Sequence, residues 1–317
     1  DIAQDKSPAA IPGFAVSRSD YATATGELLE RRWLNGWKKF PNMTTDSGEE
    51  ISSDQAPFQR FRWNDYTLKP QLSYRYDVYP MTGVPGSLKR GDALVFNVRP
   101  SAPTVGGTGV FTNRGVTAAK AYYRRFGNLH PREVPDGNAY RWLERGLRES
   151  LMDFIAAAAP GEALHLCIYE FFDKDIAKAL KAAKKSGVDV RIVYHAEPGD
   201  HATDKNEKVL KDVGMKSLAT GRTEVRNISH NKFLVHLDAG GTPLRLWTGS
   251  ANFSENAFYF QTNVALVFED SDLAGAYEQY FLLLKGDPEL GRRKSGKVFA
   301  EDLVEALNTA VNTGVAP

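Results

Sequence analysis

The strongest constraint on the fold is a pair of apolar runs joined by one amphipathic segment. Residues 164–172 and 188–194 are almost continuously apolar, whereas residues 173–185 begin with acidic side chains and end with lysines. That charge order complements a helix dipole, and Gly187 is a suitable residue to end the helix. Strands that are buried on both faces have continuous apolar runs in their sequence. The region therefore predicts a parallel strand–helix–strand unit with helices on the sheet faces.

Strands and helices continue to alternate over residues 110–290. Helices are predicted at 138–158, 204–212 and 273–285. Strands are predicted at 215–218, 233–237, 244–249 and 264–268. The predicted fold class of this region is therefore α/β, with a mixed, mainly parallel sheet flanked by helices.

The first hundred residues have a different pattern. They contain short runs of aromatic and β-branched residues separated by turn-forming segments, which predict a small β-sandwich-like domain at residues 1–100. Residues 28–37 also fit a helix, because Leu29, Trp33 and Trp37 are spaced by four. Residues 101–109 are rich in Pro, Gly, Ser and Thr and are expected to be a linker. Residues 291–317 are expected to be a C-terminal helical extension.

Composition narrows the class of protein without defining its function. The 317 residues are 42% hydrophobic and 25% charged, which is typical of a soluble globular protein, and the net charge of +1 disfavours a dedicated nucleic-acid binder. Cys167 is the only cysteine, so no intrachain disulfide forms, and its apolar neighbours indicate a core position. No run approaches the ~20 apolar residues of a transmembrane helix. The sequence starts at Asp1 without Met, and a secreted or periplasmic location is slightly favoured.

The residues with the clearest chemistry lie between 230 and 252. His230 and Lys232 are two apart at a predicted strand, so their side chains are expected on one face. The next strand ends in the sequence Gly249-Ser250-Ala251-Asn252, which offers a hydroxyl and an amide. Together they supply a nucleophile, a cation and neutral hydrogen-bonding groups. This set suits a phosphodiester and requires neither a metal nor another cofactor.

The order of these elements resembles one half of the phospholipase D superfamily, whose signature is His-x-Lys-x4-Asp. The resemblance covers roughly residues 109–285. It implies a metal-independent phosphodiesterase that acts through a phosphohistidine intermediate. It also implies that His230, Lys232 and Asn252 are catalytic, and that Lys232, Ser250 and Asn252 bind the substrate phosphate.

The sequence departs from the family pattern at three points. Leu237 stands where the family has Asp, and Asp238 follows one position later. Asn263 stands where many members carry a Glu that orients the histidine. Glu170, near the end of a predicted strand, joins Asp238 and Asn263 as a candidate supporting residue around the site.

The third departure is that the His-x-Lys motif occurs once, whereas the family's active site uses two. The second motif is expected from a homodimer mate or from a missing C-terminal half. The longer-protein interpretation is slightly preferred, because the N-terminal β-domain resembles the front portion of a larger enzyme. A third interpretation is a degenerate copy that only binds phosphate.

The predicted substrate is a phospholipid phosphodiester, which would be hydrolysed or transferred. Cleavage of DNA or RNA is the alternative, since the motif recognises the phosphodiester group and not the groups that it joins. A catalytically inactive phosphate-binding interaction module is the second alternative. His195, Glu197, Asp200 and His201 follow another predicted strand, and they are interpreted as a solvated loop near the site and not as metal ligands.

Overall fold

The chain divides into two units, residues 1–103 and 104–317. The computed structural model describes residues 11–290 except 42, 45–48, 62, 64, 66 and 224–228, and gives only the backbone for 287–290. The predicted C-terminal extension at 291–317 lies outside the described residues. No helix in the described part of the chain is long and apolar enough to cross a membrane.

The N-terminal unit is built from antiparallel strands. Its strands in chain order are β1 (Gly13–Ala22), β2 (Leu28–Trp33), β3 (Asn35–Gly36), β4 (Ile51–Ser52), β5 (Leu72–Val84), β6 (Ser87–Arg90) and β7 (Leu94–Val98). Strands β2, β1 and β5 pair in that order, and the long β5 then pairs with β7 through its first half and with β6 through its second. Strands β3 and β4 form a separate two-stranded sheet. The β-rich N-terminal region is confirmed, as one five-stranded sheet with a short second pair.

Strand β2 replaces the helix that the spacing of Leu29, Trp33 and Trp37 allowed. Two arginines of β2 reach acidic residues of the strands beyond it: Arg31 lies 3.4 Å from Asp77 and Arg32 lies 3.8 Å from Asp20. Pairing to β1 with this register satisfies both the backbone and these charges, which an isolated helix could not do.

The second unit contains an eight-stranded mixed sheet. The strands of this sheet are β8 (Thr104–Val105), β9 (Thr108–Thr112), β10 (Ala163–Ile168), β11 (Asp189–His195), β12 (Ala219–Arg222), β13 (Lys232–Leu237), β14 (Pro243–Gly249) and β15 (Val264–Phe268). Their spatial order is β12-β11-β10-β13-β14-β15-β9-β8. The mixed α/β class is confirmed. Among the described strands, however, two pairings are parallel and five are antiparallel, so antiparallel pairs predominate instead of parallel ones.

Part of the predicted linker belongs to this sheet. Strands β8 and β9 occupy 104–105 and 108–112, and β9 pairs along its whole length with β15. Gly106 and Gly107 form the turn between them with positive φ angles, which glycine adopts without strain. The Gly-rich composition thus marks a hairpin turn and not an unstructured connection.

Helices cover both faces of the sheet. They are α1 (Lys120–Phe126), α2 (Asn138–Glu144), α3 (Leu147–Ala156), α4 (Lys174–Lys185), α5 (His201–Val213) and α6 (Ser271–Leu290). The single helix predicted at 138–158 is broken into α2 and α3, because Arg145 and Gly146 both adopt positive φ. The strand predicted at 215–218 is a 3₁₀ turn, Lys216–Leu218, that precedes β12.

Alternate residues of the central strands enter two different cores. Leu166, Ile192 and Leu234 pack in the core cluster that includes residues of α3, α4 and α5. Cys167 and Val193 face the other way, into the cluster that includes Ala274, Phe281 and Leu284 of α6. Burial on both faces explains why these strands are read as continuous apolar runs.

Candidate active site

One edge of the large sheet gathers the ends of four strands. Strands β10 and β11 are parallel and end there, while β13 runs antiparallel to β10 and starts there, with Ile168 opposite Lys232. Strand β14 runs antiparallel to β13 and ends at the same edge, with Phe233 opposite Thr248. The residues that follow or precede these ends are therefore brought together, which is where ligands bind in sheets of this type.

Lys232 is a buried cation at the start of β13. It is only 6% exposed, and its Nζ donates a hydrogen bond to the backbone oxygen of His230 at 3.2 Å. Its ammonium lies 5.5 Å from the centre of the Tyr169 ring. Burial lowers the pKa of Lys232 from 10.5 to about 8, against the opposing effect of the Glu170 carboxylate. The side chain therefore still carries its charge at pH 7.

His230 is an exposed imidazole beside that cation. It lies just before β13 and not within it, so its position depends on side-chain contacts more than on the sheet. Its ring packs against Tyr169, with the ring centres 4.9 Å apart. Desolvation is the largest cause that lowers its pKa below 6.5, the Lys232 charge adds to it, and Glu170 opposes both. The imidazole is therefore mainly neutral at pH 7, the form that can act as a nucleophile.

Glu170 and Asn252 form the next part of the site. The side-chain amide of Asn252 donates to Glu170 Oε2 at 2.9 Å, and the hydroxyl of Ser254 donates to the same oxygen at 3.3 Å. The Oδ1 atom of Asn252 is buried without a hydrogen-bond partner among the described residues. Glu170 thus lies in contact with Asn252 and close enough to influence both His230 and Lys232. Ser254 was not anticipated from the sequence.

Ser250 is tied to Asn263 and not to the histidine. The Ser250 hydroxyl donates to Asn263 Oδ1 at 2.8 Å and accepts from the backbone N–H of Val264 at 3.1 Å. The amide of Asn263 in turn donates to the backbone oxygen of Ala257 at 2.8 Å. Among the described contacts, none joins Asn263 to His230. Asn263 therefore orients Ser250 instead of supplying the partner that a Glu would give the histidine.

Asp238 lies far from this edge, so its prediction as a supporting residue of the site is wrong. It follows β13 at the opposite end, six positions after Lys232, and this corresponds to about 20 Å of extended strand. Its carboxylate accepts the backbone N–H groups of Gly240 and Thr242, both at 2.8 Å, and these bonds lower its pKa. A bulge does occur between His236 and Leu237, but Asp238 serves the hairpin turn beyond it.

A buried asparagine in α5 holds the strand ends in place. Asn206 is fully buried; its amide donates to the backbone oxygens of Tyr169 and His195 at 2.8 and 3.1 Å, and its oxygen accepts from Phe171 N–H at 2.6 Å. It thereby fixes the ends of β10 and β11 relative to each other. Sequence inspection missed it because a lone Asn among charged helical residues has no distinctive spacing.

His195 also supports the candidate site. Its prediction as part of a solvated loop is wrong. It is fully buried, not in a solvated loop, and its ring lies 5.1 Å from Tyr169, the residue that also contacts His230. Its Nδ1 accepts the backbone N–H of Ser229 at 3.3 Å, one residue before His230. Tyr169 N–H also donates to the backbone oxygen of Asn231 at 2.9 Å. These contacts hold both sides of the His230 segment.

His195, Glu197 and Asp200 are close enough to be considered as metal ligands. Their ligand atoms lie within 4.8 Å of one another, and His195 Nε2 is 3.3 Å from Asp200 Oδ2. Because Nδ1 accepts a hydrogen bond from Ser229, the proton of a neutral ring resides on Nε2, the nitrogen that faces the carboxylates. A protonated nitrogen cannot coordinate a metal, and metal-bound histidines normally donate from the other nitrogen. This tautomer fits a histidine–aspartate contact.

The geometry brings together a neutral exposed imidazole, a buried ammonium, a carboxylate and a side-chain amide. An ammonium in a desolvated position stabilises negative charge on phosphate oxygens more strongly than one in water. The imidazole is accessible to an electrophile that this charge would hold. The arrangement can therefore carry out nucleophilic substitution at a phosphorus centre.

Comparison with known proteins relates part of the second unit to a known domain family. Residues 151–284 match the family model described as cardiolipin synthase, PLD-like domain. Among solved structures, the phospholipase D family member Nuc from Salmonella typhimurium is 28% identical over 43% of this chain and 84% of its own, with a TM-score of 0.35. NucT from Helicobacter pylori is 22% identical over 44% of this chain and 87% of its own, with a TM-score of 0.36. Phosphatidylserine synthase from Haemophilus influenzae Rd KW20 is 11% identical over 72% and 49%, with a TM-score of 0.37. No curated protein matches the chain.

Proposed function

Since residues 151–284 form a domain of the phospholipase D superfamily, we propose that the protein is a metal-independent phosphodiesterase that acts through a phosphohistidine. The observation that supports this most directly is the pairing of His230, exposed and with a lowered pKa, with the buried ammonium of Lys232. His230 supplies the nucleophile, and Lys232 supplies the positive charge that a divalent ion provides in metal-dependent enzymes.

In the proposed reaction a ring nitrogen of His230 attacks phosphorus. A nitrogen–phosphorus bond forms, the bond from phosphorus to the leaving oxygen breaks, and a second histidine protonates that oxygen. Water, or an acceptor alcohol in a transfer reaction, then displaces the imidazole and loses its proton to the second histidine. Lys232 and the amide of Asn252 are proposed to bind the non-bridging oxygens, and Ser250, oriented by Asn263, is proposed to bind at the rim.

The second histidine is proposed to come either from a second copy of the chain or from a further segment of a longer protein, because His-x-Lys occurs once in these 317 residues. A twofold contact would bring two copies of His230 to one phosphate, and such symmetry is the commonest in oligomers. Mixing wild-type protein with the His230→Ala variant tests this. Turnover should then fall with the square of the wild-type fraction, whereas a linear fall would assign the second histidine to another source.

The preferred substrate is a phospholipid phosphodiester, with DNA or RNA as the alternative. The net charge of +1 gives little general attraction for a polyanion. Short-chain phosphatidylcholine and single- and double-stranded DNA, compared under identical conditions, separate the two classes. Faster turnover of the lipid supports the preference, and faster cleavage of DNA overturns it.

The activity itself is tested with a chromogenic diester, bis(p-nitrophenyl) phosphate, in the presence of EDTA. The wild-type protein should release nitrophenolate and His230→Ala should not. A matched control is His201→Ala, which removes an exposed histidine at the start of α5 and should retain activity. An inactive wild-type protein would favour the interaction-module alternative, and activity that EDTA abolishes would contradict metal independence.

A further inference from the structure

The N-terminal unit contains an open cleft whose walls are largely aromatic and aliphatic. The cleft has a volume of about 970 Å³. Its apolar lining includes Phe14, Phe58, Phe61, Trp63, Leu94 and Phe96. Phe14 is paired with Phe61, and Phe58 is stacked on Trp63, so the aromatic side chains of the cleft lie in two contacting pairs. None of the candidate active-site residues belongs to this unit.

The outer wall of the cleft is unusually exposed for apolar side chains. Phe61 is 89% exposed, Leu94 is 61% exposed and Phe96 is 48% exposed. Strand β7, which carries Leu94 and Phe96, pairs only with β5 among the described strands and is exposed along its whole length. Contiguous exposed apolar surface of this kind marks a binding face for another molecule or a membrane.

Two arginines lie at this surface, and the exposed Asp92 precedes β7 at its other end. Arg60 lines the cleft and Arg99 directly follows β7, and among the described residues neither has an acidic partner. Among the described lining residues the one carboxylate, Asp65, is held by Arg18 at 2.6 Å and by the Tyr76 hydroxyl at 2.7 Å. Its charge is therefore balanced inside the unit, and the arginines are left to interact outside it.

We propose that this cleft docks the protein on a lipid bilayer that contains anionic lipids. Phe61, Leu94 and Phe96 would enter the interface between headgroups and acyl chains, and Arg60 and Arg99 would contact lipid phosphates. Aromatic side chains with adjacent arginines are the combination that favours the membrane interface. A purely apolar partner would leave both arginines uncompensated. The proposal does not depend on the phosphodiesterase activity, because it concerns a different unit.

Co-sedimentation of the full chain with vesicles tests the proposal. Two compositions are compared, phosphatidylcholine alone and phosphatidylcholine mixed with phosphatidylglycerol. We expect binding to the mixed vesicles, and the double variant Phe61→Ser with Phe96→Ser should weaken it at least about tenfold, since burial of one aromatic side chain contributes about that factor. Arg60→Gln with Arg99→Gln should remove the preference for phosphatidylglycerol.

A matched control is available in the same unit. Leu28 and Leu29 of β2 are 51% and 52% exposed at the opposite edge of the sheet, so Leu28→Ser with Leu29→Ser removes similar apolar surface outside the cleft. This variant should bind as the wild type does. Thermal unfolding of each variant checks its fold, and Phe61→Ser alone, at the most exposed position, replaces the double variant if that one unfolds.

Trp63 gives a second readout, because it lines the cleft. Its emission should shift to shorter wavelength with mixed vesicles, and Trp63→Phe should abolish that shift. The proposal is overturned if the wild type does not sediment with vesicles, or if the cleft and β2 variants lose binding equally. It is also overturned if the cleft variants change only the oligomeric state, which would identify the cleft as a contact between copies.

Discussion

Replacing Lys232 by Met should stabilise the folded protein at neutral pH while it abolishes turnover. Lys232 is 6% exposed, and burial lowers its pKa from 10.5 to about 8. At about 1.4 kcal/mol per pKa unit, this shift corresponds to roughly 3 kcal/mol by which burying the charged form opposes folding. Methionine has a similar length and no charge, so it removes this cost.

The sign of the pH dependence follows from linkage. The unfolded chain binds the lysine proton up to about pH 10.5, whereas the folded protein releases it near pH 8. The cost is therefore complete below pH 8 and disappears as the pH rises towards 10.5. The advantage of Lys232→Met over the wild type should be about 3 kcal/mol at pH 7 and should shrink to about 1 kcal/mol at pH 10.

Urea unfolding of the two proteins at both pH values measures this difference. Lys211→Met, which alters an exposed lysine of α5, is the control and should change the unfolding free energy little at either pH. The reasoning is refuted if Lys232→Met is less stable than the wild type at pH 7. It is also refuted if the difference between them does not depend on pH.

Three other predictions concern the same sheet edge. Turnover should increase with pH as His230, whose pKa lies below 6.5, loses its proton. It should decrease again as the second histidine and then Lys232, near pH 8, lose theirs, and in a pH–rate profile Lys232→Arg should move only the Lys232 part of this decrease to higher pH. Asn206→Ala removes three hydrogen bonds to buried backbone groups, so it should lower the unfolding free energy by about 2–4 kcal/mol in urea titrations; a loss below about 1 kcal/mol would contradict its role. Asp238→Ala should leave diester turnover unchanged because the residue lies at the far end of β13, and a large loss would restore it to the site.

The location of the site could be predicted because it follows from apolar periodicity. The runs at 164–172 and 188–194 are continuous since both faces of β10 and β11 are covered, and this fixes where the strands end. Glu170 was therefore expected near the edge where His230 and Lys232 lie. The direction of β13 was harder to predict, because it is buried along its whole length like a parallel strand yet pairs antiparallel with β10 and β14.

The details of the site depend on contacts that have no local signal. Asp238 is one position from the family pattern, but only the length of β13 and the turn after it show that it is remote. Asn206 is 36 positions from Glu170 in sequence, and its role arises from how α5 packs on the strand ends. The partnership of β9 with β15 likewise joins segments about 150 residues apart, which no local composition can reveal.

Detection of the covalent intermediate tests the central claim most directly. The protein is mixed with bis(p-nitrophenyl) phosphate in EDTA, quenched at alkaline pH and digested with trypsin, which should release residues 227–232 as a peptide with one histidine. The account predicts a p-nitrophenyl phosphoryl adduct on His230 that is absent from His230→Ala. Turnover by the wild type with no adduct on that peptide, or with the adduct on another residue, would contradict it.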